Sequence, residues 1–160
     1  DQWYRGEVTL TEQELRGWDL FNVDRTDFSA GADCFHCHGA PHFTDFTFHN
    51  NGLDSDENFS DLGLYETTGS DVDKAKFKTP TLRNIEVTGP YMHDGRFSTL
   101  EEVIEHYNSG GHASSTVDPL MKNIGDGLLL SPEDKQALLA FLRTLTDEEF
   151  LNNPEFSNPF

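Results

Sequence analysis

Hydrophobic residues recur at helical spacing in three stretches of the chain. In the first stretch, Thr11 opens a capping-box pattern, and Leu15, Trp18 and Phe21 follow three residues apart. We expect this helix to end near Asn22. An amphipathic helix of this kind buries one face against a partner element. The pattern therefore predicts a mainly α protein.

A second helix is predicted after Thr99, which also begins a capping pattern. Its apolar residues have the spacing i, i+3, i+4 and i+7: Leu100, Val103, Ile104 and Tyr107. This face points Tyr107 inward, whereas the neighbouring His106 is expected to point away from it. Glycines 110 and 111 end the helix.

A third helix is predicted from Ser131, which caps it, with Pro132 in the first turn. Its apolar face comprises Leu138, Phe141, Leu142 and Leu145. Between the helices, residues 39–76 are polar and mostly irregular, and the acidic segment 50–73 is expected to be solvated loop. Its run 54–58 lacks the glycine and late glutamate of a calcium loop. Residues 147–160 are expected to form a surface tail.

Residues 34–38 read Cys-Phe-His-Cys-His, which is the C-x-x-C-H attachment sequence of a c-type haem. Two thiols about one turn apart can add to the two vinyl groups of one porphyrin. The histidine that follows then lies under the ring, where its imidazole can bind the iron. Both cysteines of the chain belong to this motif. The sequence therefore predicts one covalent haem c, held by Cys34 and Cys37, with His38 as an axial ligand.

Two other interpretations of the motif are possible. A redox dithiol is one, but it calls for a βαβ context that the pattern does not show. Half of a zinc site is the other, with His38, His42 or His49 completing the ligands. A structural zinc site usually has a second tightly spaced pair, and none is present.

The second axial position is left open by the residues alone. Its identity sets the chemistry, because the axial ligand tunes the potential and an open position binds small molecules. The candidates are Met92, Met121, His93, His106, His112 and Tyr107. Periodicity alone favours Tyr107 as a core tyrosine, and each methionine as a core side chain.

A helix before the motif, loops around a cofactor and a closing amphipathic helix make the plan of a class I cytochrome c-like fold, with long irregular loops around one haem. In that plan the first and last helices cross, so Trp18 or Phe21 should meet Leu138 and Phe141. Three phenylalanines after the motif are expected to pack near the haem: Phe43, Phe46 and Phe48.

Composition limits the partners. The 160 residues suit a single domain, 1–160, and 11 basic against 29 acidic residues give a net charge of −18. Such a surface repels nucleic acid and favours a redox partner with a basic docking surface, although the charge could also serve only solubility. No apolar run approaches the roughly 20 residues that span a membrane. Haem c is attached outside the cytoplasm, so we expect a periplasmic or other extracytoplasmic protein whose signal peptide is not in this chain.

Three strings of the sequence resemble the bacterial dihaem cytochrome c peroxidase and MauG family. They are residues 77–84, FKTPTLRN; residues 89–96, GPYMHDGR; and residues 99–108, TLEEVIEHYN. Shorter matches lie at 10–12, 17–21, 42–45 and 141–147, so the resemblance covers nearly the whole chain. It implies the C-terminal domain of the family, whose low-spin haem transfers electrons. Residues 1–9 would then be a linker from an absent N-terminal haem domain.

The resemblance also implies site residues. The distal ligand in this domain is a methionine in the peroxidases and a tyrosine in MauG-type members, and the matching residue is Tyr107, with Met92 and Met121 as alternatives. A calcium between the two domains would map to the backbone at Thr79 and Thr81. Its remaining ligand belongs to the other domain, which argues against calcium here.

The same resemblance sets what we expect this chain to do. Arg83 and Lys78 are candidates to pair with the haem propionates. No second C-x-x-C-H is present, so the peroxide-reducing haem would lie in the other half of the protein. The chain alone is expected to transfer electrons as part of an oxidoreductase. The alternative is a stand-alone monohaem enzyme or sensor that binds peroxide or a gas at an open sixth site.

Overall fold

Long loops connect five helices and two short strands in the computed structural model, which describes residues 2–26 and 29–157. The helices are α1 (Glu12–Phe21), α2 (Tyr65–Thr68), α3 (Leu100–Ser109), α4 (Pro132–Arg143) and α5 (Glu148–Leu151). The strands are β1 (Phe48–His49) and β2 (Phe77–Lys78). Within the described ranges, no helix is long and apolar enough to cross a membrane.

The three predicted helices begin at the predicted caps. The Thr11 hydroxyl accepts a hydrogen bond from the Glu14 amide, and the Glu14 carboxylate accepts one from the Thr11 amide at 2.7 Å. Thr99 and Glu102 form the same reciprocal pair at the start of α3. The Ser131 hydroxyl caps α4. Each cap satisfies amide groups that a helix N-terminus otherwise leaves without partners, which is why these boundaries were predictable.

Helices α1 and α4 cross, as predicted. Ring centroids of Trp18 and Phe21 lie 5.4 and 5.2 Å from that of Phe141. The backbones of the two helices come close together at Gly17, where an added Cβ would lie 2.0 Å from the carbonyl oxygen of Ala137. Only glycine permits this approach, and the aromatic side chains then fill the seam on either side.

Strands β1 and β2 pair antiparallel, with Phe48 opposite Lys78 and His49 opposite Phe77. This short ladder joins the loop that follows the C-x-x-C-H motif to the segment before α3. The amide of Thr79 extends the pairing by donating to the Thr47 carbonyl at 2.9 Å. The loop around the motif is therefore held by backbone hydrogen bonds as well as by side chains.

His106 is buried, which helical periodicity does not indicate. The residue is only 9% exposed. Its Nε2 atom is 3.1 Å from the carbonyl oxygen of Asn51. A polar ring can be buried when it has such a partner, and spacing along α3 does not reveal a carbonyl from another loop.

The aromatic residues after the motif differ in their exposure. Phe43 is buried, but Phe46 and Phe48 are 58% and 40% exposed. Phe46 lies in a turn with φ of 62°, which leads the chain into β1. The ammonium of Lys78 lies 5.0 Å from the Phe46 ring centroid. Packing of these three rings near a haem stays a prediction.

The acidic segment 50–73 is less solvated at its start than predicted. Asn50 and Leu53 are 2% and 5% exposed. The Asp54 carboxylate lies 2.8 Å from the Arg96 guanidinium, and Asp56 accepts hydrogen bonds from the amide and hydroxyl of Ser115. These partners, 42 and 59 residues away in sequence, tie the segment to the rest of the fold.

Candidate haem-binding site

The C-x-x-C-H motif forms one tight turn. Residues Cys34–His36 are a 3-10 helix, and the His38 amide donates to the Cys34 carbonyl at 2.9 Å. Asp33 precedes the turn in the left-handed region, with φ of 54°. Both cysteines are half-buried and carry free thiols. The turn therefore presents two thiols and an imidazole from five consecutive residues.

The environment of the thiols argues against a redox dithiol. Burial raises the pKa of the Cys34 thiol to about 12, and the charge of Asp33 adds to the effect. Burial and the charge of Asp45 raise the pKa of Cys37 to about 11. Reactive dithiols need a lowered pKa, because the thiolate is the nucleophile. The motif does not fit that chemistry.

A zinc site fits poorly as well. Among the described residues, Cys37, Asp45 and His49 bring potential ligand atoms within 4.8 Å of one another. Both ring nitrogens of His49 are already engaged, however: Nδ1 lies 2.6 Å from Asp118 Oδ2, and Nε2 lies 2.7 Å from Asp45 Oδ2. A metal-binding imidazole needs a nitrogen lone pair free for the ion.

His38 has the surroundings of a metal-binding imidazole. Its Nδ1 atom is 3.0 Å from the Phe43 carbonyl oxygen, an arrangement in which Nδ1 carries the proton and Nε2 keeps its lone pair. Burial lowers the pKa of His38, although its backbone hydrogen bond opposes the effect, so the neutral form is favoured. The Phe43 ring packs against Phe21 and Phe141. The core thus fixes the carbonyl that orients the ligand.

Tyr107 packs against the same hydrophobic core as Cys34 of the motif. The residue is half-buried on α3, and its hydroxyl oxygen lies 3.2 Å from the Asn51 Nδ2 atom. Burial raises the pKa of Tyr107 to about 12, and the hydrogen bond from Asn51 opposes that effect. The phenol is therefore held by the core and by one side-chain amide.

Met92 also contacts the side-chain amide of Asn51. Its sulfur is 3.5 Å from the Asn51 Nδ2 atom that contacts Tyr107. Met92 has φ of 70° in the turn before Gly95. Two of the predicted candidates for the distal position thus meet at one side-chain amide. Sequence reasoning missed Asn51, because nothing in the pair Asn50-Asn51 distinguishes the one that faces α3.

The other distal candidates occupy different surroundings. Met121 is half-buried, and its amide donates to the Asp118 carbonyl at 2.8 Å. The His93 ring stacks on Phe77 with centroids 3.7 Å apart. The His112 amide donates to the Gly52 carbonyl at 2.7 Å. The choice among the six candidates stays a prediction.

The residues predicted to meet propionates or calcium lie on the proximal loops. Arg83 donates to the Pro41 carbonyl at 2.6 Å, and its guanidinium is 5.8 Å from the Phe43 ring centroid. The Thr79 carbonyl accepts a hydrogen bond from Thr44 at 2.7 Å. The Thr81 hydroxyl donates to a backbone carbonyl at 2.6 Å. These contacts do not test whether Arg83 pairs with a propionate or whether Thr79 and Thr81 bind calcium. The contact of Lys78 with the Phe46 ring does not test its pairing with a propionate either.

A cluster of charged side chains includes His36 of the motif and Asp33, the residue before it. The Lys122 ammonium lies 2.7 Å from Asp33 and 2.9 Å from Asp24, and the His36 ring contacts Asp33. The Asp33 side chain is only 8% exposed. Burial raises the pKa of Asp33, and Lys122 opposes that effect. The sequence analysis did not identify this cluster, because Lys122 lies 89 residues from Asp33.

The donor set fits a covalent haem c. It comprises two half-buried thiols in one turn, an imidazole oriented by a backbone carbonyl, and a phenolic oxygen and a thioether sulfur that contact one side-chain amide. The thiols would hold the porphyrin, His38 would bind the iron, and Tyr107 or Met92 would face the opposite side. Two thiols and an adjacent imidazole with a free Nε2 lone pair are what covalent haem c attachment and axial ligation use.

Comparisons with known proteins support the interpretation of the motif as a haem site. No protein-family model matches the chain. It is 35% identical to the methylamine utilization protein MauG of Methylorubrum extorquens over 92% of this chain and 39% of that protein. It is 30% identical to the cytochrome-c peroxidase IdrP2 of Pseudomonas sp. (strain SCT) over 94% of this chain and 44% of that protein. The crystal structure of a MauG-like protein associated with microbial copper homeostasis superposes with a TM-score of 0.85 and 38% identity, over 99% of this chain and 50% of that one.

The chain belongs to the dihaem cytochrome c peroxidase and MauG family. The resemblance inferred from the sequence strings is thereby confirmed. Membership gives the chain a cytochrome c-like fold of helices and loops, and it supports haem c as the cofactor. The chain spans half or less of the length of the relatives it matches.

Proposed function

We propose that this chain is a c-type haem electron-transfer domain with His38 and Tyr107 as axial ligands. It would form one half of a dihaem oxidoreductase of the peroxidase or MauG type. The observation that carries the proposal is the packing of Tyr107, on α3, and of Cys34, in the motif, against the same hydrophobic core. Haem c, when bound, supplies a one-electron couple at its iron.

The protein's contribution on the proximal side is orientation. The Phe43 carbonyl accepts from Nδ1 of His38 at 3.0 Å and thereby aims Nε2 away from the loop. The ring of the same residue is held by Phe21 of α1 and Phe141 of α4. A ligand fixed through the core moves little between redox states, which suits electron transfer.

Tyr107 is preferred over the methionines on the distal side. Its oxygen accepts a hydrogen bond from the Asn51 amide, which stabilises negative charge on that oxygen. An anionic oxygen ligand favours ferric iron, whereas a thioether favours ferrous iron. Met92 shares the amide contact, but its thioether sulfur is a weak acceptor, whereas the phenolic oxygen is a strong one. Tyr107 is therefore the distal ligand in this proposal, and Met92 is its closest competitor.

The remaining parts of the proposal concern the whole protein. A second haem domain, or a small redox protein with a basic surface, would exchange electrons with this chain. The net charge of −18 supports such a partner, because complementary charge accelerates encounter. Covalent haem attachment supports an extracytoplasmic location. Calcium is not part of the proposal.

The decisive experiment compares Tyr107→Phe with Met92→Leu in the haem-loaded protein. Tyr107→Phe removes only the oxygen, so we expect the ferric absorption and electron paramagnetic resonance spectra to change from low spin and cyanide to bind. Met92→Leu removes the sulfur at similar volume and should leave the spectra as in the wild type. The proposal is wrong if Tyr107→Phe keeps the wild-type spectra. If Met92→Leu changes them instead, sulfur is the ligand.

A further inference from the structure

The side-chain amide of Asn51 contacts two other side chains on the distal side of the proposed haem site. The Nδ2 atom of Asn51 lies 3.2 Å from the hydroxyl oxygen of Tyr107 and 3.5 Å from the sulfur of Met92. An amide nitrogen carries two hydrogens and accepts none. Asn51 is therefore the donor in both contacts, with one hydrogen for the oxygen and one for the sulfur.

Hydrogen bonds hold the backbone around Asn51, so the position of its side-chain amide is well defined. Its carbonyl oxygen is 3.1 Å from Nε2 of His106, the neighbour of Tyr107 on α3. The amide of Gly52 donates to the Asn50 side chain at 2.9 Å, and Asn50 is only 2% exposed. Residue 51 thus contacts α3 through its side chain and through its backbone.

We propose that Asn51 is a positioning residue that presents the Tyr107 oxygen to the iron. This inference rests on the proposed function, in which Tyr107 is the distal ligand. The two acceptors are unequal, because a phenolic oxygen is a strong acceptor and a thioether a weak one. A hydrogen bond to the oxygen also draws negative charge from it and weakens its donation to the metal. Asn51 would then raise the reduction potential relative to an unassisted tyrosine.

The test measures the reduction potential of Asn51→Leu, which keeps the size of the side chain and removes both donors. We expect the ratio of reduced to oxidised protein at a fixed solution potential to fall about tenfold, which equals about 59 mV for one electron. Asn58→Leu is the control, because Asn58 is an exposed asparagine of the same loop whose amide donates to Ser55. It should leave the potential unchanged. Asn51→Ala, which also removes both donors and adds no charge, should lower the potential even if the leucine variant folds poorly.

A second comparison separates this inference from the proposed function. In the Tyr107→Phe background, Asn51→Leu should have no further effect on the potential, since the residue acts through the tyrosine oxygen. An equal shift in both backgrounds would overturn the inference. A wild-type potential for Asn51→Leu and Asn51→Ala would also overturn it, and the proposed function would stand if Tyr107→Phe still changed the ferric spectrum. A Tyr107→Phe spectrum identical to the wild type would instead refute the proposed function itself.

Discussion

His49 and Asp118 are 69 residues apart in sequence, yet Nδ1 of His49 lies 2.6 Å from Oδ2 of Asp118. The other ring nitrogen is 2.7 Å from Asp45. Both nitrogens must donate for both bonds to form, which favours the protonated ring. Burial alone lowers the pKa of His49, but the two carboxylates outweigh burial and the pKa is raised. This bridge joins the loop after the motif to the loop before α4.

Replacing His49 should change how stability depends on pH. A raised pKa in the folded state means that the contribution is fully present below the unfolded value of about 6.5 and is lost as pH rises through the folded value. We expect His49→Gln to lower the free energy of unfolding by about 2 kcal/mol near pH 6, with a smaller loss in alkaline solution. Denaturant unfolding followed by circular dichroism across this range measures it. His42→Gln, at an exposed site, is the control, and a loss that grows with pH would contradict the bridge.

Lys122 should matter more than another paired lysine. It faces Asp33, whose side chain is 8% exposed, whereas Lys135 pairs with Glu105, whose side chain is 56% exposed. Lys122→Met leaves a buried carboxylate without its cation, and we expect a loss of about 1 to 2 kcal/mol because the lysine itself is partly solvated. Lys135→Met should cost about 0 to 1 kcal/mol. Equal losses in urea unfolding would show that Asp33 does not depend on Lys122.

Gly17→Ala should weaken the crossing of α1 and α4. The added Cβ would lie 2.0 Å from the Ala137 carbonyl oxygen and 2.7 Å from Phe141 Cβ, so the helices must separate. We expect a loss of about 3 kcal/mol from this overpacking, despite the better helix propensity of alanine. Gln13→Ala, at an exposed position of the same helix, should stay within about 0.5 kcal/mol of the wild type. Thermal unfolding of both variants tests the contact, and equal midpoints would refute it.

Local chemistry made much of this fold predictable. Capping at Thr11, Thr99 and Ser131 depends on residues within one turn of the cap, so the starts of α1, α3 and α4 follow from short strings. The contact of Trp18 with Phe141 followed from two apolar stripes that had to be buried together. The C-x-x-C-H spacing likewise predicts covalent haem attachment from only five residues.

Long-range polar contacts were not predictable, because they depend on residues that are far apart in sequence. His106 is buried because the Asn51 carbonyl reaches it, and Asp54 is tied down because Arg96 reaches it. Periodicity describes which way a side chain points along its own element and says nothing about a donor or acceptor arriving from a distant loop. Asn51 was missed for the same reason, since its role depends on α3.

The seam between α1 and α4 also determines how the chain encloses the motif. It joins helices that flank the motif in sequence, and Gly17 makes their contact close. The Phe43 ring packs against Phe141 of α4, and the Phe43 carbonyl orients His38. Loosening of the last long helix would therefore be felt at the imidazole, although no residue of α4 belongs to the motif.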